Sequence, residues 1–482
     1  MKISVNSFGI NNFKSYRNGL INFSPITLII GPNGAGKTNL LEGIKLAFDV
    51  ASYSSPSDYP FIQYWGYQNA VTDGDINSNM EFSFDISIDK INIKYISKFN
   101  GAGGSLTFLE EIISIENYVE LRREGSKISI IYDNKFFESF STDRSIIDKT
   151  LELRSFFLQD GLKDENPEAG MRLVETYEGL DPSISIFTKI IGIDSSFHIT
   201  SSSSHDGYEL FFLSQMKKNV KNNRNMFIPI IVPAVTEVNN EGIPEFPVSP
   251  LGVLFSMFGK DNDPSAFISS SGLALGSKHI IFLRHDSIYG MKKPVPLNYQ
   301  SHGILNGESS LLWLFTQFSE SGGRIPESIQ SAMEANFPGW QIGFRTTADG
   351  NIILQIKETD TYGNIRNLTP PSLPDGFFKL LLVLIAIELK PAILLIDELE
   401  NSLHNSLIEY IIDSLRDSSI TTVITTHSPL VINDVELSEI RILDRDANGT
   451  SIRTIEKPGE MKKKLLDLGI TPSDLWLYGE IA

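Results

Sequence analysis

The chain has 482 residues, with 41 Lys and Arg against 59 Asp and Glu, which gives a formal net charge of −18. It contains no cysteine, and this excludes a disulfide framework, thiolate metal sites and cysteine nucleophiles. The acidic balance does not support a broad nucleic-acid surface, although local basic patches leave DNA a possible partner.

The first informative element is the apolar run from Ile26 to Ile30, which predicts a buried strand. A glycine-rich segment follows directly, and a helical pattern then continues to Phe48. The segment is Gly31, Pro32, Asn33, Gly34, Ala35, Gly36, Lys37 and Thr38. It has the form G-x-x-x-x-G-K-[ST] between a strand and a helix, where backbone N–H groups surround phosphate oxygens. Lys37 would contact the β- and γ-phosphates and the Thr38 hydroxyl would bind Mg²⁺, so the sequence predicts an ATP site.

The middle of the chain separates into a β-rich part and an insertion. Strong alternation from Met80 to Ile96 predicts antiparallel strands, and β patterns continue at 110–121 and 128–137. We therefore expect residues 1–140 to form an N-terminal ATPase lobe. Residues 141–295 lack a sustained heptad repeat, because a run of serines and several prolines interrupt it. We expect a compact, largely helical insertion there.

We expect residues 296–482 to form a C-terminal ATPase lobe, and they contain two further predicted strands that end in polar residues. The run 392–396 ends in Asp397, which would hold Mg²⁺ through water, and Glu398, which would activate or orient the attacking water. The run 421–426 ends at His427. In this position His427 is expected to contact the γ-phosphate, and a purely structural histidine is the alternative.

Four short motifs together resemble the non-transporter branch of the ABC-type ATPases, which includes the SMC, RecF and OLD proteins. They are Phe13-Lys14-Ser15-Tyr16, the signature region Ser372-Leu373-Pro374-Asp375-Gly376, the run Glu398-Leu399-Glu400-Asn401-Ser402-Leu403-His404, and Thr426-His427-Ser428-Pro429. The resemblance covers roughly residues 1–135 and 295–482. It implies an α/β fold, namely a P-loop NTPase whose ABC-ATPase head has a mixed sheet, flanking antiparallel strands and a helical insertion in place of a coiled coil.

The resemblance also implies a homodimer, or a higher homo-oligomer, in which two subunits sandwich ATP and Mg²⁺. Asp375 and Gly376 of one subunit would then face the nucleotide bound by the other. Pro374 stands where the family has a serine and offers neither a hydroxyl nor an N–H, so we expect slow hydrolysis. Gln63 and Gln68 are both candidates for the family's Q-loop glutamine, and an aromatic lobe packed on a sheet is the alternative for both.

By resemblance, the favoured function is an ATPase switch that controls a separate effector protein, a nuclease, as in phage-defence systems such as Septu and PARIS. The alternatives are a RecF-like DNA repair or recombination ATPase and an ATP-binding assembly scaffold with little turnover. Asp444-Arg445-Asp446 has the D-x-D spacing of the OLD nuclease, but little chain follows it, so we expect a charged loop and no nuclease in this chain. No signal peptide or membrane span is visible, and we expect a cytoplasmic protein without a membrane anchor.

Overall fold

The computed structural model describes residues 3–132 with short gaps at 54–55, 57–58, 89–90 and 116–118, several strands between 163 and 233, and residues 280–477 with gaps at 298, 300–305 and 361. The chain divides into two compact units. Unit 1 consists of Met1–Lys14 and Leu46–Gly276, and unit 2 consists of Ser15–Lys45 and Ser277–Ala482. Each unit is therefore built from two separate parts of the chain.

The bounds of the strands and helices are as follows. The strands are β1 (Ile3–Phe13), β2 (Tyr16–Asn22), β3 (Ile26–Ile30), β4 (Met80–Ile88), β5 (Ile91–Asn100), β6 (Thr107–Ile115), β7 (Val119–Glu124), β8 (Lys127–Tyr132), β9 (Lys163–Asp164), β10 (Leu173–Tyr177), β11 (Phe197–His205), β12 (Tyr208–Gln215), β13 (Phe227–Pro233), β14 (Ile280–Leu283), β15 (Val295–Pro296), β16 (Trp340–Thr346), β17 (Asn351–Thr359), β18 (Ile365–Leu368), β19 (Ile393–Ile396), β20 (Thr421–Thr425), β21 (Ile440–Asp446) and β22 (Gly449–Thr454). The α-helices are α1 (Lys37–Ala51), α2 (Ser287–Met291), α3 (Gly307–Glu320), α4 (Glu327–Asn336), α5 (Asp375–Leu389), α6 (Asn405–Ser418), α7 (Pro429–Asn433), α8 (Pro458–Leu468) and α9 (Pro472–Leu477).

Unit 1 contains a long antiparallel sheet with the strand order β1-β4-β5-β6-β7-β8-β10-β9. Along β4, alternate side chains such as Phe82 and Phe84 are buried, whereas Ser83 and Asp85 between them are half-buried. This is the pattern of a sheet with one face against a core. The antiparallel strands predicted from the alternation are therefore confirmed.

The described part of the insertion differs from the expected helical unit. Strands β11, β12 and β13 form an antiparallel sheet, and β9 and β10 extend the longer one. Strands β10, β12 and β13 are rich in β-branched and aromatic residues, which favour strands. The rest of residues 141–279 lies outside the described residues, and the prediction of helices there stays a prediction.

The central sheet of unit 2 has the order β14-β19-β20-β3-β21-β22. Its first five strands are parallel, and β22 returns antiparallel to β21 through a hairpin. Because β14 pairs with β19, unit 2 resumes near Ser277, so the boundary expected at 295 lies too late in the chain. Every residue of β3, β19 and β20 is buried, which agrees with their apolar and β-branched residues.

A smaller antiparallel sheet in unit 2 has the order β15-β17-β16, with β18 also paired to β17. Helix α5 and this smaller sheet contribute residues to one hydrophobic core. Residues 376–386 of the helix are all buried. These features confirm an α/β fold with mixed and antiparallel sheets, and the glycine-rich loop directly follows β3 of the central sheet of unit 2.

Two smaller predictions can be compared with the fold. Asp444-Arg445-Asp446 forms the end of β21 and not the expected loop, because these residues pair with the strand after the turn. Of the described helices, none has both the length and the hydropathy needed to cross a bilayer.

Candidate nucleotide site

The glycine-rich loop connects β3 to α1, as its sequence predicts. Gly34 and Gly36 have φ angles of +79° and +104°, which favour glycine because it has no Cβ. Ala35 N–H donates to the Pro32 carbonyl at 3.1 Å and closes a tight turn. The Lys37 ammonium donates to the carbonyls of Gly31 and Pro32, at 2.9 and 3.2 Å. The loop thus curves around its own lysine at the N-terminus of a helix, which is an arrangement suited to phosphate.

Residues outside the motif form hydrogen bonds with backbone carbonyls of the loop. The Tyr16 hydroxyl donates to the Gly36 carbonyl and the Thr450 hydroxyl donates to the Ala35 carbonyl, both at 2.9 Å. A Cβ on Gly36 would lie 2.7 Å from the Thr450 hydroxyl and 2.8 Å from the Ser15 hydroxyl. The Ser15-Tyr16 half of the N-terminal motif therefore supports the loop, while Thr450 was not predicted because no local pattern marks it.

The predicted magnesium ligands lie side by side. The Thr38 hydroxyl is 3.1 Å from the Asp397 carboxylate, although 359 residues separate them in sequence. Thr425, at the end of β20, donates its hydroxyl to the same carboxylate at 2.6 Å and accepts the Glu398 N–H at 2.8 Å. The parallel order β19-β20-β3 brings these residues to one edge of the sheet. Thr425 is a site residue that the sequence analysis missed.

This oxygen set fits Mg²⁺. Mg²⁺ is commonly held by one or two carboxylates, a hydroxyl and substrate phosphates, and it keeps some of its water. Asp397 and Thr38 supply hard oxygen ligands within hydrogen-bond distance of each other, beside a loop shaped for phosphate. Among the described residues there is no cluster of three or more His, Cys, Asp or Glu that could form an all-protein metal site.

The carboxylates after β19 are held by different partners. Glu398 has a φ of +49° and its carboxylate accepts a hydrogen bond from the Asn401 side chain. Glu400 accepts hydrogen bonds from the Thr426 hydroxyl at 2.8 Å and from the His427 N–H at 2.7 Å. The His427 side chain is exposed. Glu400 therefore fixes the backbone that presents His427, a role that the sequence analysis did not assign to it.

The signature region forms the start of α5. Pro374 is the N-cap residue, and its side chain makes no capping hydrogen bond. The Asp375 carboxylate forms an ion pair with Lys292. Gly376 is buried, and a Cβ there would lie 2.8 Å from the Ser402 carbonyl oxygen. The signature thus packs on the segment that follows Glu400, and its predicted contact with a nucleotide stays a prediction.

The two Q-loop candidates lie in unit 1. Gln63 is exposed and its amide nitrogen is 3.4 Å from the Pro60 carbonyl oxygen, while Gln68 is exposed one turn later. The neighbouring rings of Phe61 and Tyr67 are buried and contact each other edge to face. The aromatic packing alternative is therefore observed for these neighbours, and the choice between Gln63 and Gln68 stays open.

Two buried lysines belong to the electrostatics of this site. Burial lowers the pKa of Lys37 from its ordinary value, and the carboxylates of Asp397, Glu398 and Glu400 act in the opposite direction. Burial also lowers the pKa of Lys379 on α5, to about 8, against the same three carboxylates. The Lys379 side chain is 2% exposed and its Nζ makes no hydrogen bond to any described residue.

Two family models match parts of the chain. One, described as "AAA domain, putative AbiEii toxin, Type IV TA system", matches residues 298–433, and one described as "AAA domain" matches residues 7–219. Each covers less than half of the chain. Between them they include the phosphate loop, the signature region, the Asp397-Glu398 pair and His427, which agrees with an ATPase-type nucleotide site built from both ends of the chain.

The individual proteins to which this chain is similar match it over a short segment or at low sequence identity. The DNA replication and repair protein RecF of Beutenbergia cavernae is 37% identical over 68 residues, which are 14% of this chain and only 17% of RecF. The SMC head bound to the C-winged helix domain of ScpA has 11% identity and a TM-score of 0.40, covering 95% of this chain and 100% of that one.

Two other SMC heads are similarly remote. The Thermotoga maritima SMC head domain has 13% identity and a TM-score of 0.32, covering 94% of this chain and 99% of that one. The Smc head with an extended coiled coil, bound to the C-terminal domain of ScpA derived from Pyrococcus furiosus, has 12% identity and a TM-score of 0.40, covering 96% and 100%.

Gly31→Ala should destabilise the protein, because the added Cβ would lie 2.4 Å from the Leu443 carbonyl oxygen, a backbone atom of β21. We expect the free energy of unfolding to fall by about 3 kcal/mol, at the upper end of usual overpacking costs. Gly34→Ala is the matched control, since no described atom lies within 4 Å of its added Cβ. It should lose only about 1 kcal/mol from its positive φ. Urea unfolding measures both, and equal midpoints for the two variants would contradict the close packing.

The pKa of Lys379 predicts that the protein without Mg²⁺ becomes more stable between pH 8 and pH 10. The folded state loses this proton near pH 8, whereas an unfolded lysine keeps it to about pH 10.4. The unfolded state then binds more protons, so the free energy of unfolding rises with pH, by up to about 3 kcal/mol. Lys379→Met should lack this contribution. Parallel pH profiles of urea unfolding for the two proteins would contradict the prediction.

Proposed function

We propose that this protein is an ATP-binding and hydrolysing switch that dimerises around ATP and controls a separate effector protein in bacterial antiphage defence. The observation that carries ATP binding is the contact between Thr38 and Asp397, which joins the phosphate loop to the Asp397-Glu398 pair. A match to a model described with the AbiEii toxin favours defence. The nuclease effector and the dimer follow from the resemblance described above.

The proposed chemistry divides among the chain's own residues. The loop N–H groups and the N-terminus of α1 bind the phosphates, and Lys37 turns from the loop carbonyls to the β- and γ-phosphates. Thr38 and Asp397 would hold Mg²⁺, which would supply positive charge to offset that of the phosphates. Glu398 accepts the proton of the attacking water or orients that water, and Asn401 holds its carboxylate. His427 senses the γ-phosphate from the segment fixed by Glu400.

A RecF-like repair ATPase is a second candidate, and the 68-residue match to RecF favours it. The net charge of −18 weighs against it, because DNA binding gains most of its affinity from basic side chains that displace counterions. A third candidate is an ATP-binding scaffold with little turnover. Pro374 favours that reading, because it removes a hydroxyl and an N–H from the signature.

Glu398→Gln should retain ATP binding but hydrolyse ATP at least tenfold more slowly, because the amide cannot accept the water's proton. Lys37→Ala should lose binding itself, since it removes the loop's cation. Binding is measured by titration with a fluorescent ATP analogue, and turnover by phosphate release. Wild-type turnover in Glu398→Gln would remove this residue from the mechanism, and wild-type affinity in Lys37→Ala would refute the site.

The partner is best sought with tagged Glu398→Gln chain, expressed in the native host and purified in Mg²⁺ and ATP. We expect a stoichiometric nuclease-like or toxin-like protein to remain bound, identified by mass spectrometry. Tagged Lys37→Ala is the control, and it should lose a partner that depends on the ATP-bound state. Recovery of DNA alone, released as salt rises, would instead support the repair function. A homo-oligomer without any partner would support the scaffold.

A further inference from the structure

Lys379 is an unusual residue for its place in the fold. It lies in a helix whose residues 376–386 are all buried, and its own side chain is 2% exposed. Its Nζ makes no hydrogen bond to any described residue. A buried ammonium group without such a partner costs free energy, which an apolar side chain of similar length would avoid.

The charges that act on Lys379 are those of the candidate site. Asp397 has the largest effect, followed by Glu400 and Glu398. The same three carboxylates act on Lys37 from the phosphate loop. The carboxylates therefore interact with two buried cations, one provided by the nucleotide loop and one by α5. Only Lys37 can be assigned to phosphate by the sequence motif.

The first turn of α5 also contacts the segment that carries these carboxylates. Gly376 lies so close to the Ser402 carbonyl oxygen that an added Cβ would be 2.8 Å from it. Ser402 has a φ of +67° and Glu398 a φ of +49°, so two non-glycine residues of this segment adopt left-handed backbone conformations. Such conformations persist only where the surroundings hold them. The helix thus packs on the segment at Gly376, and the charge of Lys379 interacts with the carboxylates that the segment carries.

We propose that Lys379 is a positioning residue that acts as the internal counter-ion of Asp397, Glu398 and Glu400. This inference rests on the proposed ATPase function. Asp397 and Glu400 each accept two hydrogen bonds from the threonines and backbone around them, but the Glu398 carboxylate is held by Asn401 alone among the described contacts. Without the buried cation, repulsion from its two neighbours turns Glu398 away from the attacking water. Lys379 also ties the carboxylates to α5, so that the position of the signature affects their placement.

The test uses Lys379→Met, which removes the charge at similar length, and Lys379→Arg, which keeps it. Lys464→Met removes an exposed lysine and serves as the control. At pH 7, binding of a fluorescent ATP analogue is measured as Mg²⁺ is added, and the Mg²⁺ concentration at half-maximal binding is determined. This concentration should fall at least threefold in Lys379→Met. The reason is that one positive charge near the metal ligands is gone. Lys379→Arg and the control should stay within twofold of the wild type.

Turnover and melting temperature separate positioning from packing. In Lys379→Met, kcat at saturating Mg²⁺ should fall at least tenfold with KM for ATP within about threefold, while the melting temperature without nucleotide rises. An unchanged Mg²⁺ midpoint, or the same shift in Lys379→Arg, would overturn the inference. Wild-type kcat, or a kcat loss accompanied by a lower melting temperature, would overturn the positioning role. A wild-type protein without turnover would refute the proposed function instead. The Mg²⁺ midpoint would still show whether Lys379 acts as a counter-ion of the carboxylates.

Discussion

The contact between the Thr38 hydroxyl and the Asp397 carboxylate is the interaction on which the candidate site depends. These residues meet only because β3, β20 and β19 are neighbouring parallel strands. Parallel pairing needs long connections, and here most of the chain lies between the two ends of the site. Formation of the site therefore requires that strands more than 350 residues apart pair correctly. The phosphate loop alone cannot form it.

The local charge of the site differs from the charge of the whole molecule. The chain carries a net charge of −18, yet the proposed phosphate ligand is also an anion. A helix N-terminus, backbone N–H groups and Lys37 provide a small region of positive potential. Three carboxylates adjoin this region, and their charges interact with Lys37 of the loop and with Lys379 of α5. In the proposed site, the balance between these five groups, more than the total charge, would determine how phosphate and metal are accepted.

The sequence predicted those parts of the site that are continuous in the chain. The strand before Gly31, the helix after it and the placement of Asp397 at the end of a buried strand are confirmed, because each follows from a local apolar pattern. Thr425, Thr450 and Lys379 were missed, since their roles arise from neighbours distant in sequence.

The errors at β14 and at Asp444 to Asp446 concern pairing, which local patterns do not encode. Strand β14 lies before the expected boundary at 295 but pairs with β19, and Asp444 to Asp446 form a strand end because β22 folds back on them. Pro374 raises a related point: it caps α5 without a side-chain hydrogen bond, while Gly376 and Lys379 of the same helix are buried. Proline removes the serine hydroxyl but leaves the later N–H groups of the helix intact. If two subunits meet at this signature, their contact with phosphate then depends on where α5 lies, and that position is set by the same segment that carries Glu398.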